Sequence, residues 1–122
     1  MIERLKTIYK TNSPILSACL IIAAFPPFNM YWIAFFGLIP LVHHLKNNKT
    51  HPFIPGLLFG TLLQGSYHSW IMELTAFESF IPVMMIWAGY ALFLGTFYGL
   101  FSWMILKWKL FHPIQIASIW TL

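Results

Sequence analysis

Residues 79–106 read SFIPVMMIWAGYALFLGTFYGLFSWMIL, without a single Asp, Glu, Lys or Arg. A run this long and apolar, with no alternation of polar and apolar positions, is the pattern of a membrane helix and not of a barrel strand. Ser79 suits an N-cap, and Pro82 falls in the first turn, where a missing N–H costs little. About 28 residues at 1.5 Å each give about 42 Å, more than the hydrocarbon core. The helix is therefore expected to tilt or project.

The composition agrees. Of 122 residues, 59% are hydrophobic, 19% aromatic and only 8% charged, with a mean hydropathy of +0.73. A soluble domain carries about a quarter charged residues, so no water-facing surface can be built from this chain. The same apolar, aromatic content excludes intrinsic disorder. The sequence predicts one all-α membrane domain, too short for a second. The lone cysteine, Cys19, excludes an internal disulfide, and no Cys/His set has zinc spacing, so neither a metal nor a cofactor is expected.

Four other apolar segments flank the decisive one, at about 13–25, 30–45, 53–72 and 113–122. Ser13 and Pro14 resemble the cap and first position of the first helix, which leaves 1–12 as a basic cytoplasmic tail. The Pro26-Pro27 pair stops it. A basic start before an apolar run also resembles a signal peptide, but no small-x-small cleavage site follows. The second segment opens with Tyr31 and Trp32 as interfacial anchors. Both segments fall short of the ~20 residues of a full span. They form either a hairpin that crosses with thinning or tilt, or one that re-enters. The third is long enough to cross, whereas the last stops at Leu122 after about 15 Å. The expectation is a polytopic helical bundle, 13–122, of about four transmembrane helices plus the truncated start of a fifth.

All seven Lys and Arg fall in three places: Arg4, Lys6 and Lys10; Lys46 and Lys49; Lys107 and Lys109. The turns at 26–30 and 73–78 have none, and the second holds Glu73 and Glu78. Short cytoplasmic loops keep the Lys and Arg, so the amino terminus is read as cytoplasmic and the acidic turn as extracytoplasmic. The net charge of +4 is thus a topology signal and not a nucleic-acid patch.

Two Gly-x-x-x-Gly patterns, Gly56 to Gly60 and Gly95 to Gly99 with Ala91 one turn earlier, are helix-packing candidates, because small residues let backbones approach in lipid. Homodimerisation through one stripe is the alternative. Thr61, Gln64, Gly65 and His68 share one face of the third helix. With Trp70 at its outer end, Thr61, Gln64 and His68 are candidates for a lipid groove, or equally for interhelical hydrogen bonding. Glu73 and Glu78 lack any nucleophile beside them and read as solvated carboxylates. Cys19 sits mid-helix with nothing to lower its pKa and reads as an inert core thiol. His43, His44 and His51 flank the basic loop incidentally. Trp32, Trp70, Trp103 and Trp108 fit interfacial belts, while Trp87 and Trp120 fall deeper and could line a binding surface.

Phe25-Pro-Pro-Phe-Asn29, followed by an aromatic-rich helix ending Gly37-Leu-Ile-Pro-Leu41, resembles the Phe-x-Pro-(Phe or Tyr)-(Asn or Asp) opening of bacterial apolipoprotein N-acyltransferases. Gly56-Leu-Leu-Phe-Gly60 and Gly65-Ser-Tyr-His-Ser-Trp70 are similar to that family's third helix. Pro113 to Leu122 is similar to its helix before a Glu-containing segment ending Gly-Phe-Pro-Trp. The resemblance covers nearly the whole chain, in order. It implies about eight membrane helices in the bacterial inner membrane and an extracytoplasmic nitrilase-like domain. It also implies acyl transfer from a phospholipid to a lipoprotein's amino-terminal cysteine, through a Glu-Lys-Cys triad and a thioester. No triad residue carries over, because the nitrilase-like domain would start beyond Leu122, and Cys19 does not match. Glu73-Leu-Thr-Ala-Phe-Glu78 departs from the Gly-rich turn usual after the Trp.

The resulting expectation is the membrane part of such an enzyme, itself without catalytic residues: a fragment, a decayed gene product or half of a split protein. Its partners would be membrane lipids and, by resemblance, phospholipid and lipoprotein substrates. Two other classes stay open. One is a scaffold or subunit for a separate nitrilase-like catalytic chain. The other is a small transporter or pore-former resting on Thr61, Gln64 and His68, for which no ladder of intramembrane acids and bases appears.

Overall fold

The long apolar run folds as α5 (Phe80–Lys107), with Ser79 in the extended conformation of a cap. The structure, a computed structural model, describes residues 1–47 and 51–121, with the backbone alone at 9–11 and 119–120. Among the described residues, α5 is the one helix long and apolar enough to cross a membrane, with a mean hydropathy of 1.7 over its best window. Only 17% of that window is buried, so this is no core helix of a soluble protein. Ile81, Met85, Ile86, Phe93 and Phe97 all stand outward, each more than half exposed.

The other elements are helical too, and the described residues contain no strand. They are α1 (Ile2–Ala24), a 3₁₀ turn (Tyr31–Ile33), α2 (Ala34–Gly37), α3 (Ile39–Asn47), α4 (Phe53–Tyr67), a 3₁₀ segment (Ser69–Ala76) and α6 (Pro113–Trp120). The all-helical expectation holds, whereas of the expected four or so membrane helices one, α5, passes the length and hydropathy test for a span among the described residues. The second apolar segment is broken at Leu38 between α2 and α3. The third leaves the α-helix at Tyr67, not Met72, so α4 spans 15 residues and about 22 Å, short of the ~30 Å core.

The amino-terminal boundary also moves. Helix α1 begins at Ile2 and runs through Pro14, so residues 2–12 of the basic tail are continuous with the first helix. Ser13 is no cap. It is buried inside α1, and its Oγ lies 2.9 Å from His44 Nδ1 on α3. One turn on, Ser17 Oγ accepts from the backbone N–H of Leu41 at 2.8 Å, where the break at Leu38 leaves the start of α3 short of helical acceptors. Cys19 proves exposed on α1 and is not a core thiol, because the inner face is taken by Ser17, Ala18 and Ile21.

The pairs Ile21/Gly37, Ser17/Leu41 and Ser13/His44 make α1 antiparallel to α2–α3. The pairs Phe53/Gly99, Thr61/Gly95 and Gly65/Trp87 do the same for α4 and α5. The Phe25 ring meets Tyr67 edge-on at 4.9 Å, which puts the far ends of α1 and α4 together. The two hairpins are therefore aligned around a core of Ala18, Ile21, Leu41, Leu45, Phe59 and Leu63. One end carries the amino terminus, Lys46 and the 107–112 turn, and the other carries the 25–30 turn, Glu73 and Glu78. The rest of the basic loop, Asn48 and Lys49, lies outside the described residues, as does Leu122.

Helix α5 ends with bonds from Lys109 N to Leu106 O and from Leu110 N to Ile105 O, with Lys109 at φ 53°. This is a Schellman motif with Lys where Gly is usual. His112 lies beyond the end of α5. It caps α6: its Nδ1 accepts from Ile114 N, Gln115 Oε1 accepts from His112 N, and Pro113 takes the first position.

Candidate functional site

Between the two hairpins lies a half-open cavity of about 450 Å³. Its apolar wall is Ile21 and Phe25 from α1, Ala34 and Leu38 from the second segment, and Leu63 from α4. Its polar edge is Gln64, Tyr67, His68 and Tyr98. The volume falls within the ~300–1,000 Å³ of small-molecule sites, which are likewise apolar with a few polar groups.

The polar edge exists because of how α4 ends. The last carbonyls of a helix lack internal partners. Gln64 O keeps its i→i−4 bond from the backbone N–H of His68 at 2.9 Å and takes the His68 ring Nδ1 as a second donor at 3.0 Å. The next carbonyl, Gly65 O, accepts from Trp87 Nε1 at 3.0 Å. The Gln64 side chain reaches across to α5 and donates from Nε2 to Tyr98 Oη at 2.8 Å. Tyr98 in turn stacks edge-on with Phe59, 5.6 Å between centroids. His68 meets the Tyr90 ring edge-on at 4.8 Å.

Gln64 and His68 thus come together at the cavity, whereas Thr61 does not join them. Thr61 faces α5 at Gly95, and its hydroxyl is buried without a hydrogen-bond partner among the described residues. Trp70 is 58% exposed and outside the cavity wall, because the chain turns into the 3₁₀ segment after His68. A Cβ on Gly56 or Gly60 would run into Tyr98, and one on Gly95 or Gly99 would run into Thr61 or Phe53. Ala91 is buried near Gly65. Each small-residue stripe therefore lies against the opposite helix. Trp87 hydrogen-bonds Gly65 and does not line the cavity, and the Trp120 side chain lies outside the described residues.

Sequence reasoning missed Tyr67 and Tyr98. Tyr98 had a usable signal, a hydroxyl placed between Gly95 and Gly99 in an otherwise apolar helix. Ile21, Phe25 and Leu38 had none, since a cavity-facing apolar residue and a lipid-facing one look alike in sequence. No group of three or more His, Cys, Asp or Glu that could hold a metal occurs among the described residues. Glu73 and Glu78 are exposed. Nothing among the described residues brings Cys19 on α1 to His68 or to either glutamate.

A family model described as the apolipoprotein N-acyltransferase N-terminal domain matches residues 17–122. No curated protein and no solved structure matches this chain.

Proposed function

The chain belongs to the apolipoprotein N-acyltransferase N-terminal domain family, and from that premise we propose that it is a multi-pass membrane domain presenting a lipid groove, with no catalytic centre of its own. The observation that carries the groove is the cavity: apolar walls, one polar edge, and an exterior of exposed Phe, Ile and Met around it. In lipid, uncharged polar side chains face protein or a wet cavity, and Gln64 and His68 do so here.

In this reading the two hairpins cross the membrane, the basic end is cytoplasmic, and the acidic end lies on the far side. Helix α4 completes its crossing only with help from Ser69–Ala76, whose 3₁₀ rise of about 2.0 Å per residue is longer than that of an α-helix. Acyl transfer needs a nucleophile, a base and an oxyanion site in register. The cavity's apolar wall and the glycine seam between α4 and α5 support a role in lipid binding and helix packing instead. Phospholipid and lipoprotein substrates, or a nitrilase-like catalytic partner, belong to the same proposal for the family's whole enzyme, and their charged heads are not assigned to this cavity.

Complementation tests it. Expressed alone in a bacterium depleted of apolipoprotein N-acyltransferase, this polypeptide is expected to leave lipoprotein amino termini unacylated. Restored acylation would overturn the claim that it is catalytically silent.

A further inference from the structure

His68 fixes the state of its own ring. Its Nδ1 lies 3.0 Å from the Gln64 carbonyl oxygen, and a carbonyl can only accept, so Nδ1 carries the proton. In the neutral ring Nε2 is then a bare acceptor. It has no hydrogen-bond partner among the described residues. Edge-on contact with Tyr90 restrains the ring, and His68 lines the cavity. An acceptor on a residue that shares its cavity with Leu63 and Phe25 is a group whose desolvation is offset only when something supplies a donor.

The neighbouring polar groups sharpen this. The Gln64 amide donates from Nε2 to Tyr98 Oη, and its Oε1 is a further acceptor that likewise favours a head with a donor. Tyr67 carries a hydroxyl that both donates and accepts, so it does not discriminate between heads. Among the described residues, no Asp, Glu, Lys or Arg lines the cavity. A charged head would sit there without a counter-charge, at high cost. The complementary head is neutral and donates a hydrogen bond.

Resting on the lipid-groove reading, we propose that the cavity takes an amphiphile with a hydroxyl head, whose O–H donates to His68 Nε2 while its apolar body packs on Ile21, Phe25 and Leu38. His68 is the residue that selects a hydroxyl over the same head with its donor capped.

The test uses the full chain with ¹⁵N-labelled histidine rings, in nanodiscs of phosphatidylcholine, whose headgroup has no hydrogen-bond donor. The probes are 1-hexadecanol and hexadecyl methyl ether, which differ at the head only in that donor. The alcohol is expected to bind about tenfold more tightly, the worth of one hydrogen bond, and to shift the unprotonated Nε2 resonance of His68. The ether should leave that resonance in place. In His68→Phe the tenfold preference should vanish with the apolar wall intact. The wild-type spectrum stands as a readout even if this variant folds poorly. Equal affinities, or a His68 that carries its proton on Nε2, would overturn the proposal and leave the groove standing. Saturable binding of neither probe would remove both.

Discussion

Gln64 Nε2 donates to Tyr98 Oη at 2.8 Å, a bond spanning 34 residues of sequence that ties α4 to α5 at the cavity wall. Together with Trp87 Nε1 to Gly65 O it bridges the two helices, along whose seam glycines pack against Tyr98, Thr61 and Phe53. Helix association in lipid lacks a hydrophobic driving force, so close backbone packing and such bonds have to hold the pair.

Removing that bond should therefore be felt, but modestly. Gln64→Leu and Tyr98→Phe are each expected to destabilise the folded chain by about 1 kcal/mol, with a coupling of about 0.6 kcal/mol in the double-mutant cycle. Unfolding in detergent measures all four corners. A coupling near zero would mean that the bond is absent in the membrane.

The glycine seam makes a sharper contrast on one helix. A Cβ at Gly95 would lie 2.9 Å from the Thr61 backbone nitrogen and 3.2 Å from Leu57 O, contacts that no rotamer change relieves. Gly95→Ala should cost about 1–3 kcal/mol, as overpacking does. At Gly89, where a Cβ would meet nothing within 4 Å, the same change should be neutral or stabilise by about 0.5–1 kcal/mol through helix propensity. Thermal unfolding of the two variants side by side reads the difference.

Ser17 holds the break between α2 and α3 in place by accepting from Leu41 N. Both residues are fully buried, so Ser17→Ala leaves an amide with no water to turn to. The expected loss is about 1–3 kcal/mol. Faster hydrogen exchange at Leu41, with α5 unchanged, is the signature.

Lys109 adopts φ 53° at the end of α5, a conformation that costs a residue with a Cβ roughly 1–2 kcal/mol. Lys109→Gly should accordingly raise stability by about 1 kcal/mol, whereas Lys109→Val, with a branched Cβ at positive φ, should lower it. Paired melting curves of the two variants give the sign.

The long apolar run, its cap and its end at Lys107 were legible in the sequence, because nothing in 79–106 competes with helix. Gln64 and His68 were legible as polar residues on one face, and both line the cavity. The early helices were not. Ser13-Pro14 has the form of a helix start, yet Pro costs α1 only one internal bond, and the burial of Ser13 against His44 decides the matter. The end of α4 was hidden for a similar reason: apolar periodicity continues to Met72, but the Gly65 carbonyl is taken by the Trp87 indole from α5, 22 residues away. Tertiary hydrogen bonds of this kind leave no local pattern.

The separation of charge along the hairpins gives the last prediction. Arg4, Lys6, Lys46, Lys107 and Lys109 lie toward one end, while Glu73 and Glu78 lie toward the other. With Lys and Arg kept on the cytoplasmic side, a thiol at position 46 should be out of reach of a membrane-impermeant maleimide in intact cells, and a thiol at position 73 should react. Both sites are exposed, so access and not burial decides the labelling. Cys19 is itself exposed on α1, and the background must first be removed by Cys19→Ser. Lys46→Cys is then expected to label only after the membrane is permeabilised, and Glu73→Cys before. Labelling of both in intact cells would place the hairpin of α1 and α3 differently from that of α4 and α5, and would break the alignment that Phe25 and Tyr67 support.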